Sequence, residues 1–404
     1  MKKLLALFCA ALLLAGCTTK PVTSDVDSAL PGVPDMATAA EEPSTEAPTE
    51  PTTEAPTEPP TEPTTEAPTE PPTEPLPIPT PTDVSEGPGD VTGSFYQAGT
   101  VWIIEGKGYG GYWFGESNSR RYCEAVNSVA QACEGKADVY CLICPISTGI
   151  VLSDETREAL GCSDENAAMA WMYGQMDPLV KTVPVYGALK THNDEPIYFG
   201  TDHHWTALGA YYAYCEFCAQ KGICPHELDE FETYVYDDYL GSFVMYSDGN
   251  AELKANPDTL VAWIPNGTNE MTVYIPEGGG YGKYSWPIVN DVSNYSRSSY
   301  YMGFVAGDRP YSYAHNETLT DGSAVLIVKD SYGNAFVPWL IDHYEHIYWI
   351  DYRYYADWCS WAGIADASIS NFVERNGIQD VILCNNISTT GSGSLLSDME
   401  KIFR

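Results

Sequence analysis

Two short segments of this 404-residue sequence carry the side chains best suited to covalent chemistry. The first spans residues 200–206, where a single residue separates Asp202 from His204. In an extended turn, side chains two apart lie on the same face, so this carboxylate can orient the imidazole and stabilise its protonated form. The second spans residues 329–334, where Ser331 follows an apolar run and precedes a predicted helix. Together the two segments offer a nucleophile, a base and an orienting acid.

Each segment also has a less specific interpretation. Thr206 and Asp330 are both residues that commonly cap the start of a helix. Asp202, His203 and His204 offer three metal-type ligands, although neighbouring residues seldom coordinate one ion well. The presence of both segments at equivalent places in one predicted sheet favours the catalytic interpretation.

An alternation of predicted strands and helices positions both segments. The predicted strands are 101–104, 138–144, 196–199, 324–328, 346–351 and 380–384; the predicted helices are 119–134, 154–160, 165–176, 206–221, 334–343 and 364–376. This order predicts an α/β fold with a parallel sheet and helices on both faces. Ligands bind beyond the carboxyl ends of the strands in such sheets. Residues 228–320 alternate polar and apolar residues, as at 260–264 and 271–275, and are predicted to form a β-rich insertion.

The first quarter of the chain shows no pattern of a folded core. Residues 1–16 combine two lysines, an apolar run and small residues before Cys17, which predicts a lipoprotein signal peptide and a lipidated Cys17. Residues 17–92 are rich in Pro, Thr and Glu and predict a disordered linker. The folded domain is therefore expected at 93–404. The lipid is expected to be its only membrane anchor, at the extracytoplasmic face of the cell membrane.

The charge of the chain limits its partners. The formal net charge is −36, and the chain beyond residue 90 contains 40 acidic and 17 basic residues. Such a domain repels polyphosphates, so nucleic acid is not an expected partner. The 29 tyrosines and 10 tryptophans suit sugar binding, and they equally suit an ordinary aromatic core.

Ten cysteines follow Cys17 in a chain that is expected to be exported. Two C-x-x-C pairs occur, at 141–144 on a predicted strand and at 215–218 on a predicted helix. Such pairs can bind zinc, but residues three apart on a strand point to opposite faces. Buried thiols and one or two disulfides are therefore expected, with Cys123 and Cys133 as one candidate pair.

The run Asp202-His203-His204-Trp205-Thr206, followed by Gly209-Ala210, resembles the signature of the bacterial DHHW family. The later run from Lys329 to Arg353 also fits that family. The DHHW family in turn resembles the SGNH-hydrolase-like proteins that O-acetylate alginate, which carry Asp-x-His-Trp and a serine far downstream. The resemblance covers most of 95–404 and implies an SGNH-like three-layer α/β sandwich with a parallel sheet.

Carried over to this sequence, the resemblance implies an acyl-transfer triad. Ser331 is the implied nucleophile, His204 the general base and Asp202 the orienting carboxylate. The chain order of aspartate, histidine and serine matches that of the alginate-type relatives. The usual Asp-x-x-His spacing of SGNH proteins is Asp-x-His here, and no metal or cofactor is assigned to the site.

The resemblance leaves the oxyanion hole less well defined. Backbone N–H groups near Ser331 and Tyr332 are expected to hold the oxyanion, and Asn385 or Asn386, after the last predicted strand, is a further candidate donor. The usual Gly-Asp-Ser sequence begins with Lys329 here, and no Gly-x-Asn-Asp block is present. Arg353 is a candidate contact for an anionic sugar, or a partner in a structural ion pair.

These observations predict a cell-surface serine esterase or O-acetyltransferase that modifies an envelope or exported polysaccharide. A membrane protein that supplies the acyl group is a candidate partner. The alternative is a non-catalytic, carbohydrate-binding lipoprotein in which residues 228–320 carry the function. A third interpretation is a metal protein that uses His203, His204 and cysteines. The distance between Ser331 and His204 separates the first two interpretations.

Overall fold

The computed structural model of the protein describes residue 84 and residues 86–404. The predicted signal peptide at 1–16, the lipidated Cys17 and the linker as far as residue 83 lie outside the described residues. Within the described part of the chain, no helix combines the length and the apolar character needed to cross a membrane.

Ordered contacts begin before residue 93, where the folded domain was expected to start. The Gly89 N–H donates to Asn193 Oδ1 at 2.7 Å. Val91 forms a β-bridge with Leu152 and donates its N–H to the Val151 carbonyl at 2.8 Å. The last residues of the predicted linker therefore pack against the domain that follows them.

The described residues form thirteen strands and twelve α-helices. The strands are β1 (Tyr96–Ala98), β2 (Val101–Ile104), β3 (Lys107–Tyr109), β4 (Asp138–Cys144), β5 (Val180–Thr182), β6 (Glu232–Tyr239), β7 (Asp258–Ile264), β8 (Glu270–Glu277), β9 (Gly280–Pro287), β10 (Tyr311–His315), β11 (Ala324–Lys329), β12 (His346–Asp351) and β13 (Asp380–Asn386). The helices are α1 (Glu116–Cys133), α2 (Ser147–Ile150), α3 (Asp154–Ala159), α4 (Glu165–Tyr173), α5 (Tyr186–Thr191), α6 (Ala207–Lys221), α7 (Ser242–Tyr246), α8 (Ala251–Ala255), α9 (Gly333–Phe336), α10 (Tyr352–Trp361), α11 (Ile369–Asn376) and α12 (Gly393–Glu400). Four 3₁₀ segments join them, at Leu228–Glu230, Arg297–Gly303, Val337–His343 and Ile387–Gly391.

The centre of the domain is an eight-stranded sheet in the order β5-β4-β13-β11-β12-β10-β8-β9. The first five of these strands are parallel, and the last three are antiparallel. Strand β11 is buried at every position because it lies in the middle of the sheet with both faces covered. Helix α1 contacts α4, α11 and α12, while α6 contacts α5 and α9. The α/β class with a mostly parallel sheet is confirmed.

Residues 228–320 are rich in strands, as predicted, but they do not form a separate insertion. Five strands, β6 to β10, lie in this region. Only β6 and β7 form a separate two-stranded sheet, whereas β8, β9 and β10 extend the central sheet. Strand β10 pairs antiparallel with β12 over five residues. The region is therefore partly built into the core and not only inserted beside it.

Most predicted elements of the α/β part are confirmed. Strands β4 and β12 have the predicted bounds, and Thr206 caps α6 by accepting the Gly209 N–H at 3.2 Å. The predicted strand 196–199 is wrong, because only one bridge forms there, between Tyr198 and Trp205. Helix α10 was not predicted; the Asp351 side chain caps it by accepting the Arg353 N–H.

The expected disulfides do not form, since all ten cysteines among the described residues are free thiols. Cys144 on β4 and Cys384 on the neighbouring β13 have their sulfur atoms 3.6 Å apart, within reach of a weak thiol hydrogen bond and not joined in a disulfide. Burial raises the pKa of Cys123 and of Cys141 to about 12. These thiols are therefore protonated core side chains, and they act as small apolar residues.

Candidate active site

The two segments singled out in the sequence meet at the carboxyl edge of the sheet. Ser331 follows the end of β11, and His204 lies in the turn that leads into α6. Two hydrogen bonds join the turns directly. The Trp205 Nε1–H donates to the Tyr332 carbonyl at 2.9 Å, and the Tyr332 hydroxyl donates to the His203 carbonyl at 2.5 Å. Tyr332 and Trp205 are both buried, so these bonds lie away from water.

Ser331, His204 and Asp202 form a continuous chain of hydrogen bonds. The Ser331 Oγ lies 2.8 Å from His204 Nε2, and His204 Nδ1 lies 2.5 Å from Asp202 Oδ1. His204 and Asp202 are both buried. The geometry places a hydroxyl, an imidazole and a carboxylate in the order required for nucleophilic catalysis.

The carboxylate of Asp202 is held from both sides. Its Oδ1 accepts the His204 N–H at 3.0 Å, and its Oδ2 accepts the Ser242 N–H at 2.7 Å. Burial raises the pKa of Asp202, but attraction to His204 and His203 and the hydrogen bonds from His204 and Ser242 together outweigh burial and hold the pKa well below its usual range. Asp202 therefore remains ionised and able to stabilise a protonated imidazole.

Gly241 lets the backbone of residues 241–242 approach this carboxylate. A Cβ at Gly241 would lie 2.2 Å from the Asp202 Cβ and 2.4 Å from its Oδ2. No local pattern points to Gly241 or Ser242, because their contact with Asp202 spans about forty residues of chain.

Tyr301 is a further site residue that sequence reasoning missed. Its ring stacks on the imidazole of His204 with centroids 4.0 Å apart and planes 9° apart. Its hydroxyl donates to the Ser331 carbonyl at 2.9 Å. Tyr301 lies in the 3₁₀ segment Arg297–Gly303, so the region 228–320 contributes directly to the site.

His203 has a different hydrogen-bond partner from His204. Its Nδ1 lies 2.6 Å from Ser242 Oγ. Burial, followed by repulsion from His204, lowers the pKa of His203 to about 4, so the ring is neutral near pH 7. Asp202, His203 and His204 present ligand atoms within 4.8 Å of one another. However, both ring nitrogens of His204 already face Asp202 and Ser331, which argues against the metal interpretation.

Most of the backbone N–H groups after the serine are already hydrogen-bonded. The Tyr332 N–H donates to Asp330 Oδ1 at 3.0 Å, and the Gly333 and Asn334 N–H groups donate to the carbonyls of Asp330 and Ser331. Within the described residues, the Ser331 N–H has no protein acceptor. The expected oxyanion role of the Tyr332 N–H does not fit this geometry, whereas the Ser331 N–H is available.

Asn386 lies beside the serine loop. Its N–H donates to Asp330 Oδ2 at 2.8 Å, while its side-chain Oδ1 accepts the Ser388 N–H at 2.7 Å. Asp330 therefore ties the end of β13 to the turn that presents Ser331. The Asn386 side chain caps the 3₁₀ segment that follows β13.

Arg353 forms ion pairs with two carboxylates. Its guanidinium is bidentate to Asp351, with N–O distances of 2.8 and 2.5 Å, and it reaches Asp308 Oδ2 at 2.8 Å. Of the two interpretations that the sequence allowed for Arg353, the structure therefore shows the ion pair. Burial raises the pKa of Asp308, but Arg353 and Lys329 outweigh it and lower the pKa to about 2.

A buried lysine completes this network beneath the serine. Lys329 has no exposed surface, and its Nζ donates to Asn334 Oδ1 at 2.6 Å. The Asn334 Nδ2 in turn donates to Asp308 Oδ1 at 3.0 Å. Burial lowers the pKa of the Lys329 ammonium. The lysine that replaces the usual glycine before Asp-Ser therefore forms part of a polar network that supports the serine turn.

Comparison with known families gives one match to this chain. The family model described as DHHW protein matches residues 80–350, well over half of the chain. The chain matches no curated protein.

Solved structures share the fold. A DHHW family protein from Eubacterium siraeum matches with 25% identity and a TM-score of 0.65, over 76% of this chain and 97% of that one. PatB1 from Bacillus cereus matches with 17% identity and a TM-score of 0.58, over 75% of this chain and 98% of that one. A second structure of PatB1 contains a sulfonyl adduct and matches over 73% of this chain. At this level of identity, the likeness to PatB1 shows the fold alone.

Proposed function

The chain belongs to the DHHW family, and from this we propose that it is a serine esterase or O-acyltransferase that works through an acyl-Ser331 intermediate. One observation carries the proposal: the unbroken chain from Ser331 Oγ through His204 to Asp202, with links of 2.8 and 2.5 Å.

The geometry suggests a sequence of proton and acyl movements. Ser331 Oγ attacks the carbonyl carbon of an ester while its proton passes to His204 Nε2. Asp202 stabilises the resulting imidazolium through Nδ1. Collapse of the tetrahedral intermediate expels the alcohol, which takes the proton from His204 and leaves the acyl group on Ser331. A sugar hydroxyl or water then attacks the acyl-serine by the reverse proton path. The same chain of residues therefore serves both a transferase and a hydrolase.

The oxyanion of the tetrahedral intermediate needs at least one preorganised donor. The N–H of Ser331 is the donor that the geometry favours, since the three following N–H groups are already bonded. Asn386 is a second candidate donor, placed next to the serine turn through Asp330.

We propose an envelope or exported polysaccharide as the acceptor. The resemblance to proteins that O-acetylate alginate supports this choice. An exposed aromatic ring beside the site also supports it: Tyr246 is 43% exposed, and its ring lies 6.2 Å from that of His203. Such a ring can pack against the apolar face of a sugar.

The proposed location follows from the sequence of residues 1–92. A lipid on Cys17 holds the enzyme at the extracytoplasmic face of the membrane, and the Pro/Thr/Glu-rich linker carries the domain away from it. A membrane protein that delivers the acyl group is the proposed partner for a transferase reaction.

The non-catalytic alternative has less support from the structure. It assigned the function to aromatic residues of 228–320. Several of these are packed in the core: Trp263 lies 5.5 Å from Trp339, and Tyr239 and Tyr301 are buried. Tyr301 instead stacks on the proposed base.

Turnover of p-nitrophenyl acetate tests the proposal. We expect Ser331→Ala and His204→Gln each to reduce kcat/KM by roughly 10³-fold or more. His192→Gln is the matched control, because His192 also pairs with a carboxylate, Glu195, at 2.8 Å but lies outside the site. Equal rates for all four proteins would overturn the proposal.

A further inference from the structure

A second cluster of metal-type ligands lies at the other end of the sheet from Ser331. His315 ends β10, His346 begins β12, and the two are direct cross-strand partners. Glu345 immediately precedes His346. Strand β12 runs from His346 to Asp351, which pairs with Lys329 near the proposed active site. At about 3.3 Å per residue, the cluster lies roughly 16 Å from that end of the strand.

The three side chains converge on a common point. The Nε2 atoms of His315 and His346 each lie 3.6 Å from the same oxygen, Oε1 of Glu345. All three atoms lie within 4.8 Å of one another. Ligands about 2.0–2.1 Å from a tetrahedral ion are roughly 3.3 Å apart. The observed spacing therefore matches a metal site to within a small side-chain movement.

Contacts on the outer side of the cluster orient these ligands. The Nδ1 of His346 lies 2.9 Å from the Tyr313 hydroxyl, and Glu345 Oε2 accepts the Gly322 N–H at 2.7 Å. The rings of His315 and His346 are stacked, with planes 15° apart. Metal-binding histidines and carboxylates characteristically use their second polar atom for such bonds, which leaves the first free to coordinate.

The surroundings also suit a cation. A cavity of about 350 Å³ lies next to the cluster and is lined by His315, Tyr313 and the carboxylate-bearing Glu317 and Glu270. The cavity gives solvent access to His315, from which water can supply the fourth ligand. The excess of acidic over basic residues beyond residue 90 attracts cations to the surface.

We propose that His315, Glu345 and His346 form a binding site for a divalent transition-metal ion of the Zn²⁺ type. Two imidazoles and one carboxylate are ligands that such ions accept, and water completes the tetrahedron. The ion links β10, the last strand of the region 228–320, to the parallel core strand β12. It therefore acts as a clamp between these parts of the sheet, remote from the acyl-transfer chemistry.

Zn²⁺ titration of the chelator-treated full-length protein, followed by calorimetry, tests the site. We expect one ion per chain and a rise in Tm of a few degrees on saturation. His315→Gln and His346→Gln should each weaken binding by at least about 100-fold, since even the loss of an outer-shell contact costs 10–100-fold. Tm values measured without metal show whether these variants remain folded.

Two control variants separate this site from other histidines. His204→Gln should retain the Zn²⁺ site, which distinguishes it from the Asp202-His203-His204 cluster of the proposed active site. His192→Gln should also retain it, because among the described residues His192 and Glu195 belong to no three-ligand cluster. The absence of Zn²⁺ binding, or binding that survives both His315→Gln and His346→Gln, would refute the proposal.

Discussion

At the residue scale, His204 is held by side chains from three separate parts of the chain. Asp202 faces Nδ1, Ser331 faces Nε2, and the ring of Tyr301 covers one face of the imidazole. Each contact restricts the orientation of the imidazole before the reaction begins. A base oriented in advance requires little reorganisation in the transition state.

The close approach of Gly241 to Asp202 gives a prediction about this orientation. Gly241→Ala places a Cβ within 2.4 Å of Asp202 Oδ2, so the carboxylate must move. Since a displacement of about 1 Å can cost 10²-fold in rate, we expect kcat/KM for p-nitrophenyl acetate to fall by roughly that factor. The φ of Gly241 is −83°, which alanine adopts freely, so any loss arises from the contact and not from backbone strain.

Gly115→Ala is the matched control, since a Cβ there meets no atom within 4 Å. The control should keep the wild-type rate. Thermal unfolding of both variants separates misplacement of Asp202 from loss of the fold. Wild-type activity in Gly241→Ala would show that the position of Asp202 does not limit the reaction.

The sequence predicts the three residues of the hydrogen-bonded chain but not the residues that hold them in position. Asp202, His204 and Ser331 each follow or precede a recognisable element, and the two segments fall at the same edge of a predictable sheet. Tyr301 and Ser242 reach the site from a region whose strand partners no local pattern specifies. Long-range packing places them, so spacing and composition carry no signal for them.

At the element scale, the parallel half of the sheet is the predictable half. Strands β4 and β11 are nearly continuous apolar runs because both of their faces are buried. The strands of 228–320 alternate polar and apolar residues, which predicts a strand but not its neighbour. The antiparallel pairing of β10 with β12 depends on contacts more than thirty residues apart. The sequence therefore predicts that strands occur in this region but not which sheet each of them joins.

The expected disulfides failed for a similar reason. Whether two cysteines can bond depends on the distance and direction between their Cα–Cβ vectors, which the chain order does not supply. Cys144 and Cys384 are neighbours only because β4 and β13 pair in parallel.

The buried carboxyl of Glu165, which accepts a hydrogen bond from the turn after β4, gives a prediction about how stability depends on pH. Glu165, at the start of α4, is fully buried; its Oε2 accepts the Ile146 N–H at 2.8 Å, and among the described residues its Oε1 has no hydrogen-bond partner. Burial raises the pKa of Glu165 to about 8. The folded state therefore binds a proton that the unfolded state releases above about pH 4.5. This contribution to stability is present below that pH and is lost as the pH rises to about 8.

Glu165→Gln should remove this loss, because glutamine is neutral at every pH. We expect the free energy of unfolding of the variant, relative to wild type, to rise between pH 4.5 and 8 by on the order of a few kcal/mol. Urea unfolding at several pH values measures it. Glu124→Gln, on the exposed side of α1, should follow wild type throughout. If the free energies of unfolding of Glu165→Gln and wild type differed by the same amount at every pH, the Glu165 carboxyl would not be neutral in the folded state.

At the scale of the whole molecule, the start of the folded domain depends on a buried ion pair. The Nζ of Lys190, which is 1% exposed, donates to Asp90 Oδ1 at 2.6 Å and to two backbone carbonyls. Asp90 lies within the segment that the sequence assigned to the linker. Removal of the Asp90 charge leaves the buried Lys190 ammonium with carbonyl acceptors but no opposite charge, which costs far more than the loss of a surface pair.

We therefore expect Asp90→Asn to lower the free energy of unfolding by about 3–5 kcal/mol. Asp138→Asn is the matched control. Asp138 also pairs with a lysine, Lys181, at 2.6 Å, but these side chains are 53% and 35% exposed. The control should lose about 0–1 kcal/mol. Equal losses in urea unfolding would show that residues 87–91 are not part of the stable fold.

The central claim is that Ser331 carries the acyl group, and mass spectrometry of the protein after brief exposure to p-nitrophenyl acetate tests it most directly. The acetyl group should add once to the wild-type chain, on the peptide that contains Ser331, and should be absent from Ser331→Ala. A phenylmethanesulfonyl group from the corresponding sulfonyl fluoride should label the same peptide. An acetyl or sulfonyl group found elsewhere, or added equally to Ser331→Ala, would contradict the acyl-serine mechanism.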